Sequence, residues 1–261
     1  MKKAESIIAK SGNSLHSKVI VFLRNLGWKV LISPYYSDNQ TGKSREMDII
    51  AEKEFLFHKI GESTPGAVIV RLFIECKYIP SETVFWFDSK DSIATENLIT
   101  RSTPLKPRKE NILIEKHHYY KADGVAKLFS NSSEPNRNTE KEPFFSALNQ
   151  ILNATLYYRN RSFLLPEDNG HMYSSLKYVH YPIIVLNDFS NIYNINIGDS
   201  ECKHTESESF ISEINYSFLN LSGSPTSEYF LIDVVDFLKF GDYLSYIEKE
   251  EVLAMQSMLE H

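Results

Sequence analysis

The chain has 261 residues, 42% of them hydrophobic and 24% charged, which is typical of a globular protein long enough to bury a substantial core. It has 28 basic and 34 acidic residues, so its net charge of −6 gives no general indication of binding to nucleic acid or anionic membranes. Contact with a polyanion would require a local basic patch or a bound metal. The two cysteines, Cys76 and Cys202, stand far apart and indicate neither a disulfide framework nor a cysteine-based zinc site.

No apolar run reaches the roughly 20 residues of a membrane-spanning helix, and no signal peptide is recognisable. Together with the free cysteines, this favours a soluble protein of the reducing cytoplasm that does not contact a membrane. We expect one domain over residues 1–258. Residues 259–261 are interpreted as the start of an expression-tag remnant.

The first part of the chain predicts a helix followed by three strands. Residues 4–26 carry apolar side chains at helical spacing, with a kink or new N-cap near 11–14, and Gly27 ends the helix. Strands are predicted over 28–36, 46–57 and 67–79. The third contains a nearly continuous apolar run over 68–74, as in a central strand covered on both faces.

The second part is predicted to hold an insertion at about 80–142, with an edge strand at 84–87 and a polar stretch of uncertain structure over 88–116. A helix is predicted over 119–129 and a mobile polar loop over 130–142. Pro143 then starts a helix over 144–159. Strands follow at 181–186, 191–197 and 229–235, with a loop over 198–226 and a closing helix at 236–257. This order predicts an α/β sandwich with a central mixed β-sheet flanked by helices.

Charged side chains interrupt the most apolar strand. Glu75 and Lys77 directly follow the apolar run, and because strand side chains alternate between faces they point the same way. Asp48 stands near the start of the preceding predicted strand, and it can approach Glu75 if the two strands pair as neighbours. Two converging carboxylates suit Mg²⁺ or Mn²⁺, which accept phosphate oxygens as further ligands. A nearby ammonium can hold the attacking water and offset charge that develops on phosphorus.

The pattern Asp48-x26-Glu75-Cys76-Lys77, on successive strands after an amphipathic helix, resembles the PD-(D/E)XK nuclease superfamily. Its Holliday-junction-resolvase and Mrr-type restriction branches are the most similar. The resemblance implies a restriction-endonuclease-like fold and hydrolysis of DNA with Mg²⁺ or Mn²⁺. It implies that Asp48 and Glu75 bind the metal and that Lys77 is the catalytic lysine. Because related nucleases often pair two sites to cut two strands, it also leaves a homodimer open.

The resemblance extends to auxiliary positions. Those branches place a Glu on the first helix, a few residues past a glycine, where this chain has His16; the nearest acid is Glu5. His16 could replace that ligand more weakly, or activity could be lost. Gln150, on the predicted helix 144–159, resembles a Gln found after the Glu-x-Lys strand and would position water or support the ligands. Glu46 shares a strand face with Asp48, and is an extra ligand or a solvated edge residue.

Two further groups have alternative interpretations. His117 and His118 are adjacent, so on a helix their side chains diverge by about 100°. With no second pair to complete a ligand set, surface or packing roles are favoured over a metal site. The insertion also carries a basic cluster, which either contacts phosphates or forms a solvated loop balanced by nearby glutamates. Its members are Arg101, Lys106, Arg108, Lys109 and Lys116.

The sequence therefore predicts a metal-dependent endonuclease that hydrolyses phosphodiester bonds in DNA. A nuclease-like domain without catalysis, which binds nucleic acid or a protein partner, is the alternative, since His16 replaces an acid and the net charge is negative. An RNA-directed enzyme with the same site is a third interpretation.

Overall fold

The structure is a computed structural model that describes residues 13–39, 41–107, 113–131, 143–159, 172–220 and 222–260. The helices, in chain order, are α1 (Asn13–Asn25), α2 (Ser92–Ser102), α3 (His118–Lys121), α4 (Pro143–Tyr158), α5 (Phe240–Tyr246) and α6 (Leu253–Glu260). A π-helical turn, Ile247–Val252, joins α5 to α6, and 3₁₀ turns occupy Leu113–Lys116 and Phe237–Lys239. In the described ranges, no helix is both long and apolar enough to cross a membrane.

The strands, in chain order, are β1 (Lys29–Ile32), β2 (Tyr35–Ser37), β3 (Ser44–Glu46), β4 (Ile49–Phe57), β5 (Gly66–Lys77), β6 (Thr83–Ser89), β7 (Gly124–Asn131), β8 (Leu176–Leu186), β9 (Ile192–Asn196), β10 (Lys203–His204), β11 (Ser209–Leu219) and β12 (Pro225–Asp236). Ten of them form one sheet in the order β1-β4-β5-β8-β12-β11-β7-β6-β9-β10. Strands β5, β8 and β12 run parallel, whereas β4 is antiparallel to both β1 and β5. The predicted α/β class with a mixed sheet and flanking helices is confirmed.

The sheet has an apolar layer on each face. Val68, Leu72 and Ile74 of β5 pack with α1, α2 and the C-terminal helices on one face, which we call the α1 face. Phe73, on the other face, packs with Ile151 and the rest of the apolar side of α4. We call this second face the α4 face. Strand β5 is buried from Gly66 to Cys76, because both layers cover it.

A buried ion pair lies on the α4 face. Arg71 of β5 is fully buried, and its Nε donates to Glu52 Oε1 of β4 at 2.6 Å. Its Nη1 donates to the carbonyl of Tyr158 at the end of α4, 3.1 Å away. Because a buried charge is costly unless it is paired and hydrogen-bonded, these contacts make Arg71 a link between the sheet and α4.

Four sequence-based predictions are wrong. The predicted strand 28–36 is broken at Ser33, whose positive φ of 51° precedes Pro34 and separates β1 from β2. In place of the predicted helix 119–129, the helix ends at Lys121 and β7 begins at Gly124. The strand is stabilised by pairing with β6 and β11. The predicted edge strand 84–87 lies inside the sheet between β7 and β9. The predicted loop 198–226 contains β10 and β11, the latter paired along its length with β12.

We expect Arg71→Met to lower the free energy of unfolding by about 3–5 kcal/mol, since it removes the guanidinium that buried Glu52 contacts. The double variant Arg71→Met/Glu52→Leu should recover most of this loss, because neither charge then remains. Urea denaturation measures both. Arg45→Met, at a pair with Asp38 whose Arg side chain is 51% exposed, serves as control and should cost less than about 1 kcal/mol. A double variant no more stable than Arg71→Met would contradict this assignment.

Candidate functional site

The pairing of β4 with β5 brings Asp48 beside Glu75. Its register sets Ile49 opposite Ile74, so the next residues outward are Asp48, just before β4, and Glu75. Strand alternation turns both carboxylates, together with Lys77, to the α4 face. Glu75 is fully buried, while Asp48 and Lys77 are partly accessible. The three residues singled out from sequence therefore lie together at the C-terminal end of β5.

Backbone groups hold the two carboxylates. The Cys76 N–H donates to Asp48 Oδ2 at 2.8 Å, and the Asp48 N–H donates to Glu75 Oε1 at 3.2 Å. Each carboxylate is thus bound by the main chain of the opposite strand. The Cys76 thiol lies in the apolar layer of the α1 face, where burial raises its pKa well above the ordinary value.

Lys77 lies between Glu75 and helix α4. Its Nζ is 2.8 Å from Glu75 Oε2, and it donates to Gln150 Oε1 at 3.2 Å. Gln150 Nε2 in turn donates to the carbonyl of Glu46 at 3.2 Å. Because an ammonium has three protons, at least one N–H of Lys77 has no partner among the described residues. The side chain is 19% exposed, so this proton can reach solvent or a ligand.

Burial has the largest effect on the electrostatics of the site, followed by the attraction between Glu75 and Lys77. Burial and the nearby Asp48 carboxylate raise the pKa of Glu75 to about 7, although Lys77 opposes this. Burial lowers the pKa of Lys77, but Glu75 and Asp48 outweigh it, so the net pKa is raised and the ammonium persists at neutral pH. Buried Glu75 Oε2 is ion-paired with Lys77 Nζ at 2.8 Å. Because a carboxylate oxygen has two lone pairs, this oxygen can contact a cation while it stays paired with Lys77.

His16 and Glu46 lie beside the site without directing a ligand atom into it. His16 Nε2 is 2.9 Å from the carbonyl oxygen of Asp48, so the ring supports the backbone of that residue. The Glu46 side chain is exposed, and hydrogen bonds from Ser33 and then Tyr35 lower the pKa of its carboxyl group. Glu5 lies outside the described residues.

The described part of the basic cluster lies away from this site. Arg101 pairs with Glu228 of β12 at 2.8 Å, and Lys106 contacts the Thr100 carbonyl. Asp233 of β12 and Ile74 of β5 both pair with Ile183 of β8, so the two lie at the same height in the sheet. Glu228 comes five residues before Asp233 on β12. At about 3.3 Å per residue, Arg101 is therefore near the opposite end of the strands, roughly 20 Å from Glu75. Lys116 pairs with Glu250. Arg108 and Lys109 lie outside the described residues.

A second polar cluster was missed from sequence. His117 and His118, for which surface or packing roles are predicted, contact Glu251 in the interior under the C-terminal helices. His118 is also bound to Asp233 of β12. The adjacent histidines were the available signal. Their acidic partners are more than 100 positions away along the chain, so no local pattern predicts the contact.

Comparison with known proteins adds no relative: no protein-family model, curated protein or solved structure matches the chain.

The raised pKa of Glu75 predicts a pH-dependent stability of the metal-free protein. Between pH 4.5 and about 7 the folded state keeps a proton that the unfolded state has released, so stability falls as the pH rises. We expect the Tm of the wild type, relative to Glu75→Gln, to decrease by several degrees over this range. Calorimetry in chelator measures it. The control is Glu206→Gln, at an exposed loop residue. The difference in Tm between the wild type and this control should not change with pH. A constant difference between wild type and Glu75→Gln would disprove the assigned burial of charge.

Proposed function

We propose that this chain is a Mg²⁺- or Mn²⁺-dependent endonuclease that hydrolyses phosphodiester bonds in DNA, with a PD-(D/E)XK-type centre in a restriction-endonuclease-like fold. The observation that carries the proposal is the juxtaposition of Asp48, Glu75 and Lys77 on one face of β4 and β5, with two carboxylates compensated by a single ammonium. A purely structural role does not account for two carboxylates placed side by side in a buried strand pair.

The donor set fits a hard divalent cation. Asp48 and Glu75 would hold it. Asp48 Oδ1 has no hydrogen bond from the described residues, and Glu75 Oε2, which is paired with Lys77, keeps a second lone pair. Oxygen ligands favour Mg²⁺ or Mn²⁺ over softer metals. Such an ion, when bound, polarises the phosphoryl oxygen and lowers the pKa of a bound water.

Charge balance supports a phosphodiester as substrate. The two carboxylates and the ammonium sum to −1, and a divalent cation changes this to +1. A phosphodiester carries one negative charge, so it completes the neutralisation of a partly buried site. The acidic net charge of the chain is therefore compatible with an anionic substrate at this point.

Lys77 is suited to hold water and to offset charge on phosphorus. Its remaining N–H can donate to the attacking water or to a phosphate oxygen, and its raised pKa makes it a poor base. Gln150 fixes the ammonium from α4 and is a positioning residue. His16 keeps the Asp48 backbone in place, and the proposal does not require it to bind metal.

The arrangement of elements agrees with the resemblance. Helix α1 precedes β1, β4 and β5, which are neighbours in the sheet, and β8 lies parallel to β5. Helix α4, which carries Gln150, lies between β5 and β8 in the sequence. It packs over the end of β5. This supports the proposed fold family as well as the centre.

We expect the wild type to nick plasmid DNA with Mg²⁺ or Mn²⁺ and to lose activity in chelator. Asp48→Asn and Glu75→Gln should abolish nicking, because each removes a charged ligand. Lys77→Ala should slow it by at least about 100-fold, because it removes a donor for the developing charge. Glu54→Gln, an exposed carboxylate on β4, is the matched control and should cleave normally.

The experiment also separates the alternative functions. A panel of duplex, branched and single-stranded DNA and of RNA distinguishes the substrate class. Calorimetric titration with Mn²⁺ reports binding without catalysis. If no nucleic acid is cleaved and Mn²⁺ binding does not depend on Asp48 and Glu75, the nuclease proposal fails and a silent binding domain is favoured.

A further inference from the structure

A buried cluster on the α1 face joins three distant parts of the chain. His117 and His118 come from the start of α3, Asp233 from β12, and Glu251 from the π-helical turn between α5 and α6. His118 Nδ1 is 2.5 Å from Glu251 Oε1, and His117 Nε2 is 3.4 Å from Glu251 Oε2. His117, His118 and Glu251 each have a potential ligand atom, and these three atoms lie within 4.8 Å of one another.

The cluster carries an excess of buried negative charge. Asp233 is 2% exposed and Glu251 is fully buried. Among the described residues, no Lys or Arg forms an ion pair with either carboxylate. A proton shared on His118 gives one positive charge against two negative charges, which leaves −1. A divalent cation with neutral histidines gives zero, and buried charges are stable when they are compensated in this way.

The groups around the cluster have the arrangement of a supporting shell for a metal. His118 Nε2 is bound to Asp233 Oδ1 at 2.8 Å, which leaves Nδ1 directed at Glu251. A carboxylate on the far nitrogen of a ligating histidine fixes the ring and raises its basicity. Tyr119 and Tyr243 donate to Asp233 Oδ2 at 2.8 and 2.7 Å, and Tyr181 donates to Glu251 Oε2 at 2.7 Å.

Two further features point to a ligand. A π-helical turn is rare and often marks a functional site, and here it turns Glu251 into the cluster. An open cavity of about 590 Å³ is lined by His118 and Asp233, and a second of about 480 Å³ is lined by His117, so the cluster borders open space at both histidines.

We propose that His117 Nε2, His118 Nδ1 and Glu251 form a second metal site, selective for Zn²⁺ or a similar transition metal, with Asp233 as the positioning carboxylate. Two imidazoles and one carboxylate suit Zn²⁺ and disfavour Mg²⁺. Metal at His117 Nε2 puts the ring proton on Nδ1, so the 3.3 Å hydrogen bond from the Tyr119 N–H is given up. A proton held at His118 Nδ1 leaves to solvent.

This site is independent of the proposed nuclease centre. Leu231 and Val235, which share a strand face with Asp233, belong to the apolar layer of the α1 face, whereas Glu75 faces α4. The sheet separates the two. The Zn²⁺ site connects α3 and the C-terminal helices to β12, so its effect is to clamp these elements on the sheet.

The test uses metal-free protein without a polyhistidine tag, titrated with Zn²⁺ in a calorimeter in the presence of excess Mg²⁺. Co²⁺ then replaces Zn²⁺ as a spectroscopic probe of the ligands, and Tm is measured with and without Zn²⁺. We expect one Zn²⁺ per chain, a Co²⁺ spectrum typical of four or five ligands, and a Tm that rises by at least about 5 °C at roughly 100 times the Kd. Absence of stoichiometric binding, or of a Tm rise in the wild type, would overturn the proposal whatever the variants do.

Variants assign the ligands. Glu251→Gln and His117→Asn should weaken Zn²⁺ binding by at least about 100-fold, and Asp233→Asn by about 10–100-fold because it leaves the ligands in place. His204→Asn, at an exposed histidine on β10, should bind normally. The double variant Asp48→Asn/Glu75→Gln should also bind normally, which separates this site from the nuclease centre. Unchanged binding in folded Glu251→Gln, or loss in His204→Asn, would refute the ligand set.

Discussion

The antiparallel pairing of β4 with β5 is the constraint on which the candidate nuclease centre depends. A slip of one residue would turn every side chain of a strand to the other face, and would send Glu75 and Lys77 into the apolar layer beneath α1. The apolar side chains of β5, buried on both faces, oppose such a slip. The hydrophobic core therefore determines the geometry of the polar site formed by Asp48, Glu75 and Lys77.

The same strand pair holds charges of two kinds. Arg71 lies opposite Glu52, so positive faces negative and the pair connects the sheet to α4. Four residues further along β5, Glu75 lies next to Asp48, so negative faces negative. The first arrangement is satisfied within the fold. The second is compensated only in part by Lys77, so it costs stability that the first does not. Such a cost is expected of a site kept for chemistry, in keeping with the proposed function.

The sequence predicted what depends on neighbouring residues. The alternation of Glu75 and Lys77 after an apolar run predicted that these side chains share a face near Asp48, and the helical spacing around Leu148 and Ile151 predicted α4. Strand β11 also carried a signal, since Phe210, Ile214 and Phe218 share a face, but the intervening polar residues made it resemble a loop. The short apolar segment after Lys121 was compatible with helix or strand, and the neighbouring strands β6 and β11 decided it. The contacts of His118 join positions far apart, so only the fold shows them.

Cys76 gives the centre an internal reporter. Cys76 stands between Glu75 and Lys77 in the sequence, and its N–H donates to Asp48. Its thiol is buried on the opposite face of the strand from those two side chains. The thiolate that reacts with alkylating reagents forms only when this end of β5 separates from its neighbours. Because Cys202 is exposed, we expect it to react first. The slower phase of a thiol-modification time course would then measure how often the centre opens.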